Sequence, residues 1–181
     1  MKSAASSVLV AVFLVAAPVA YAVEEPQSYR MTDYRAPVPD TLAGATVIDT
    51  DAAYALWRTG RVAFIDALPR PPKPELPEGT IYREKPRDTI PGALWLANVG
   101  YGEIPEAMHQ YFREGLGEAT EGDLGAPVVL FCQADCWMSW NAAKRAVEYG
   151  YSNVFWFPEG TDGWLAAGHP TERMEPKPGG S

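Results

Sequence analysis

Val128-Val129-Leu130-Phe131-Cys132-Gln133-Ala134-Asp135-Cys136-Trp137-Met138 runs from four consecutive apolar residues through both cysteines of the chain and into a helix-like stretch at 139–149. An uninterrupted apolar run of this length reads as a strand buried on both faces, as in a parallel sheet. A strand that passes straight into a helix puts the intervening turn beyond the carboxyl edge of the sheet, where open α/β folds bind ligands. Backbone amides at such a turn point outward and favour a thiolate. The two cysteines therefore mark the candidate site.

Working outward, the chain alternates between short apolar runs and helical patterns. Strands are expected at 45–48, 62–65, 93–96 and 154–157 besides 128–131. Helices are expected over 50–59, with Thr50 or Asp51 as cap and Gly60 as stop, then over 105–115 and 139–149, with a short one near 162–167. This order predicts an α/β fold with a mainly parallel five-stranded sheet and helices on both faces. Residues 69–87 interrupt it with six prolines, which deny that stretch a regular helix or central strand and make it a long surface insertion. No internal repeat is found.

Lys2, the apolar run at 8–17 and the pattern Ala20-Tyr21-Ala22 predict a secretory signal over residues 1–22, its apolar run shorter than the roughly 20 residues of a membrane span. The mature chain is then expected in the periplasm, unattached to membrane, where disulfides persist. Losing Lys2 takes the formal charge from −8 to −9. Such an acidic protein disfavours nucleic acid and anionic lipid as partners and suits basic ones, small electron carriers among them. The remaining 159 residues suffice for one core. They divide into an N-terminal extension at 23–44, a domain at 45–170 carrying the 69–87 insertion, and a tail at 171–181.

Taken together, the segments resemble a single rhodanese-like domain. Phe64-Ile65-Asp66 resembles the family's strand ending in Asp, and Thr89-Ile90-Pro91-Gly92-Ala93 its His-Ile-Pro-Gly-Ala stretch, with Thr89 in place of His. Residues 128–132 resemble the strand that delivers the active-site Cys, and Gly150-Tyr151-Ser152-Asn153-Val154 through Gly163-Trp164 the closing segment. More narrowly, Cys132 to Trp137 followed by Met138-Ser139-Trp140-Asn141 resembles periplasmic rhodanese-like proteins with a CxxxCW motif. Those accompany alcohol oxidation dependent on pyrroloquinoline quinone. The resemblance implies an accessory protein of that catabolism, with a dehydrogenase or an electron carrier as partner and the quinone as candidate cofactor.

Two departures from ordinary rhodaneses bear on mechanism. The resemblance implies a cup-shaped loop whose donors face a persulfide on Cys132, usually with an Arg for an anionic sulfur donor. Here no cation follows Cys132 before Lys144, and Asp135 adds negative charge. Arg83, Lys85 or Arg87 of the insertion are the candidates to supply the missing charge. The second departure is Cys136. On a regular helix its Cβ would stand roughly 5–6 Å from that of Cys132, beyond the roughly 3.8 Å of a relaxed disulfide, whereas a cup-shaped loop brings the two closer. Cys132 would then be the attacking thiol and Cys136 the resolving one. A structural bridge and two unlinked thiols remain the alternatives. So small a ring would stabilise the fold by only about 2 kcal/mol.

Gln133, Ala134, Asp135 and Trp137 complete the candidate ligand-binding loop, the indole being placed to cover the sulfur or to stack on a planar quinone. Asp66 reads as an acceptor of backbone hydrogen bonds and Asp162 as a turn or cap residue. His109 and His169 show no ligand spacing with each other or with the cysteines, so no metal site is expected.

Overall fold

The computed structural model describes residues 23–71, 74–80 and 87–180. The expected signal at 1–22, Arg83 and Lys85 lie outside the described residues. In chain order the elements are β1 (Ala45–Val47), α1 (Thr50–Arg58), β2 (Ala63–Asp66), β3 (Arg87–Thr89), β4 (Leu94–Trp95) and α2 (Glu106–Ala119). They are followed by β5 (Val128–Phe131), α3 (Trp137–Glu148), β6 (Val154–Phe157), α4 (Gly160–Ala166) and β7 (Glu172–Met174). Asp49, not Thr50 or Asp51, caps α1, its carboxylate accepting from the Ala52 amide.

Five strands form a wholly parallel sheet in the order β1-β6-β5-β2-β4. All four residues of β5 are buried, as an interior parallel strand requires. Each such Val, Leu or Phe side chain stabilises by about 1.5–3 kcal/mol on leaving water. The register sets Asp66 beside Phe131 and Phe131 beside Phe157, so β2, β5 and β6 end level with one another. Phe112 and Leu116 of α2 and Trp140 and Ala143 of α3 pack in one core with Leu130 and Trp156. Ala53 of α1 and Trp164 of α4 fill a second core with Val129, Phe131 and Phe157. Helices thus cover both faces, as the alternation of the sequence indicates.

The unanticipated element is a second sheet, β3 paired antiparallel with β7. It fastens the end of the proline-rich insertion to the C-terminal tail, a pairing across more than 80 residues that no local pattern announces.

Close backbone approach fixes how α3 meets the loop after β4. A Cβ on Gly100 would lie 2.2 Å from the Met138 carbonyl oxygen, so only glycine fits. Arg145, 1% exposed, clamps the same loop. Its guanidinium donates to the carbonyls of Val99 (2.7 Å), Tyr101 (3.0 Å) and Gly102 (3.1 Å). The Tyr29 ring lies 4.3 Å from the guanidinium carbon, while the Tyr29 hydroxyl donates to Glu148.

His109 Nδ1 lies 2.5 Å from the Tyr149 hydroxyl. Desolvation first, and then the positive charge of Arg145, hold its imidazole below its ordinary value. The unfolded chain therefore binds more protons near pH 6 than the folded one. Stability from this residue is complete above about pH 6.5 and declines as pH falls through the lower folded value. Urea unfolding across pH 5–7 should accordingly show a shallower acid slope for His109→Gln than for the parent.

Candidate functional site

Cys132 follows the last residue of β5 and is joined to Cys136 by a disulfide, with the Cα atoms 6.4 Å apart. The backbone between them is a turn, not helix, with Asp135 at φ +50, a left-handed conformation that Asp tolerates better than most residues. α3 starts at Trp137, two residues before the sequence signal, and Cys136 is its N-cap. The position at the helix N-terminus therefore belongs to Cys136, whereas Cys132 stands at the strand end. The thiolate-favouring environment that the sequence suggests for both sulfurs thus falls to Cys136.

Several groups hold the Cys132 carbonyl. It accepts from the Thr161 amide (3.0 Å), the Thr161 hydroxyl (3.1 Å) and Arg87 Nη2 (3.2 Å). Arg87 Nε in turn donates to Asp66 Oδ2 at 2.8 Å, with the Asp66 side chain fully buried and that of Arg87 11% exposed. Thr89 Oγ1 donates to the same Oδ2 at 2.6 Å, and the Leu68 amide to Oδ1 at 3.0 Å. Thr89, which stands where the family has His, thus serves as a donor to the Asp. On the other side Asp162, expected as a turn residue, accepts from the Ala134 amide at 3.2 Å and so braces the loop.

Arg87 does reach the loop, as one of the three candidate cations, but Asp66 neutralises it and the Cys132 carbonyl takes its Nη2. These contacts tie the loop to the buried carboxylate. A guanidinium that sequence reasoning missed arrives from the N-terminal extension: Arg35 Nη1 donates to the Ala134 carbonyl at 2.7 Å. Its signal was hidden by a separation of 99 residues.

The extension crosses the loop in extended form. Arg35 pairs with Cys136 as an antiparallel bridge, and the Trp137 amide donates to the Tyr34 carbonyl at 2.9 Å. The Tyr34 hydroxyl accepts from the Gly102 amide at 3.0 Å, and its ring meets Tyr101 edge-on. Further back, Asn141 accepts from the Arg30 amide and donates to the Arg30 carbonyl, both at 2.9 Å. Cys132, Cys136 and Met138 form a small apolar cluster with Tyr34, Leu68 and Tyr101 packed on it. Cys132 is 0% and Cys136 2% exposed.

Of the remaining loop residues, Gln133 and Ala134 are half-buried and Asp135 is exposed. Trp137 is buried, its Nε1 donating to the Pro37 carbonyl at 3.1 Å, with Trp140 edge-on to the ring and Arg30 5.1 Å from its centroid. In this arrangement the indole anchors the extension and presents no free face to a quinone. Pyrroloquinoline quinone carries several carboxylates, while the loop surface offers Asp135 and Asp162 beside Arg35. These residues do not fit that cofactor. Among the described residues, no group of three or more His, Cys, Asp or Glu could hold a metal ion. A cleft of about 510 Å³ lined by Arg61, Val62, Thr120 and Pro127 lies at the amino ends of β2 and β5, the end of the sheet opposite the cysteines.

Residues 49–167 match the family model of the Rhodanese-like domain. Among solved structures, the chain is similar to the polysulfide-sulfur transferase of Wolinella succinogenes, at 20% identity over 72% of this chain and 80% of that one, with a TM-score of 0.45. It is also similar to the human single-domain sulfurtransferase TSTD1, at 21% identity over 67% and 96%, with a TM-score of 0.41. An EanB variant in complex with hercynine matches at 17% identity over 78% of this chain and 34% of that one, with a TM-score of 0.50. At these identities the likeness is one of fold. A comparison with curated proteins gave no match.

Proposed function

The chain belongs to the rhodanese-like family, and on that premise we propose that it is a periplasmic thiol–disulfide protein whose redox couple is Cys132 and Cys136. The observation that carries this reading is the disulfide itself, closed across the loop where a single-thiol sulfurtransferase would hold its persulfide. A bridge spanning so few residues adds only about 2 kcal/mol to the fold, which makes stapling a weak reason for it. In exchange with a partner dithiol, one partner thiolate attacks Cys132 Sγ and expels Cys136 as a thiolate at the N-terminus of α3. The second partner thiol then displaces Cys132. The partner leaves as a disulfide, and both cysteines end as thiols. Placement at a helix N-terminus makes Cys136 the better leaving group.

The CxxxCW resemblance supports a place beside alcohol oxidation dependent on pyrroloquinoline quinone. In that role the protein would serve a dehydrogenase or a basic electron carrier by protein contact, in keeping with the formal charge of −8 on the whole chain, and would not hold the quinone. A second reading, a binding module whose loop is merely shaped by the bridge, draws support from the burial of both cysteines. Sulfur transfer through a Cys132 persulfide is disfavoured because Arg87 is neutralised by Asp66.

Equilibrium titration against glutathione, read by alkylation and mass spectrometry, decides among these. A midpoint above about −250 mV is expected and supports exchange; one below about −300 mV would mark a structural bridge and favour the binding module. Incubation of the reduced protein with thiosulfate should leave Cys132 without added sulfur mass. Its appearance, and its loss in Cys132→Ser, would favour the transferase instead.

A further inference from the structure

We propose that residues 30–37 are a strap that gates the Cys132–Cys136 couple, closed while the disulfide is intact and released on reduction. This inference rests on the redox reading of the pair, and concerns how that pair is reached. The strap is fastened to the loop and α3 themselves. Tyr34 covers the apolar box of Cys132, Cys136 and Met138, and its hydroxyl is tied to Gly102. Arg35 lies in bridge register with Cys136 and binds Ala134 through its guanidinium. Asn141 holds the Arg30 amide and carbonyl at the upstream end, and Trp137 Nε1 holds the Pro37 carbonyl at the downstream end. Between them Asp33 takes φ +49, the bend from which the segment turns onto the loop. Both cysteines are at most 2% exposed, and with Leu68 and Tyr101 packed on the same cluster, Tyr34 is the strap's part of the cover that must move before a nucleophile aligns with the S–S bond.

Release on reduction follows from freeing the residue on which the strap is anchored. In the closed form Arg35 lies in bridge register with Cys136, and the next amide, that of Trp137, donates to the Tyr34 carbonyl. Cys136 at the N-cap makes no side-chain capping bond. Once reduced, its side chain is free to turn to the amides of Met138 and Ser139, the N2 and N3 groups that an N-cap side chain reaches, where the helix N-terminus favours a thiolate. That turn shifts Cys136 out of register with the strap as the loop loses its covalent closure.

The test is the rate of reduction of the full protein by excess water-soluble phosphine. The phosphine attacks one sulfur, the other departs as a thiolate, and water converts the adduct to phosphine oxide and the second thiol. If opening of the strap precedes attack, the rate follows the open population. Tyr34→Ala with Arg35→Ala, which removes two hydrogen bonds and a ring contact, should then be reduced roughly tenfold or more faster. Tyr34→Phe, which keeps the ring and loses only the tie to Gly102, should fall between it and the parent. Arg113→Ala, on the exposed side of α2, should match the parent. Trypsin gives a second measure without substitution, since Arg30 and Arg35 lie within the strap: cleavage there should be slow in the oxidised protein and at least about tenfold faster with phosphine present, while sites in α3 stay protected. Equal reduction rates in parent and strap variants, or equal protection of Arg30 and Arg35 in both redox forms, would overturn the gate. The glutathione midpoint reads the redox function separately. Equal rates with an exchange-competent midpoint sink the strap alone, and a structural midpoint sinks the redox reading whichever way the rates fall.

Discussion

Asp66→Ala is expected to lower the free energy of unfolding by about 3–5 kcal/mol, the range for breaking a buried ion pair by removing one partner. The carboxylate is fully buried and serves three donors: Arg87 Nε, Thr89 Oγ1 and the Leu68 amide. Alanine leaves a guanidinium, a hydroxyl and an amide without their acceptor, and the first is the largest cost because it is charged. Asp66→Asn keeps an acceptor of the same shape and loses the charge, so a smaller decrease of about 1–3 kcal/mol is expected. Urea unfolding with an unchanged m-value checks both. A loss below about 1 kcal/mol for Asp66→Ala would show that Arg87 finds water or another partner, and would remove the pair as the anchor of the loop.

Gly160→Ala is expected to cost about 2–5 kcal/mol through two additive causes. Gly160 has φ +51, where an L side chain costs about 1–2 kcal/mol. The new Cβ would also stand 2.7 Å from the Cys132 carbonyl oxygen, 2.8 Å from its carbon and 2.9 Å from Gln133 Cα. All three are backbone atoms, so the loop must shift, at about 1–3 kcal/mol. Gly60→Ala separates the causes, because Gly60 has φ +62 with nothing within 4 Å of its Cβ position. It should lose only the conformational part. Equal losses in the two variants, measured by thermal or urea unfolding, would refute close contact between α4 and the cysteine loop.

The parallel sheet was legible because each strand is a local apolar run and each helix a local pattern. The run at 128–131 announced a strand buried on both faces, and Cys132 and Cys136 were visible by type and spacing alone. The architecture of the site was not, because its contacts join segments far apart. Nothing near Tyr34 and Arg35 signals that they meet residues about 100 positions away. Pairing of β3 with β7 depends on two three-residue strands, neither of which has an apolar pattern. α3 starts two residues before its sequence signal because no Ser, Thr, Asp or Asn caps it; Cys136 fills that position. The backbone bond that Asp66 accepts is local, from Leu68, and so is legible, whereas its ion pair joins it to Arg87, 21 residues on.

The contrast between a bridge four residues apart and a covering held by contacts about 100 residues apart sets an order of assembly. Closing a short loop is fast and entropically cheap, while pairing the two distant segments must await the rest of the sheet. An oxidant encountering the newly made chain therefore meets the two thiols before anything lies over them. Oxidation belongs to the chain's birth, and enclosure to its maturity.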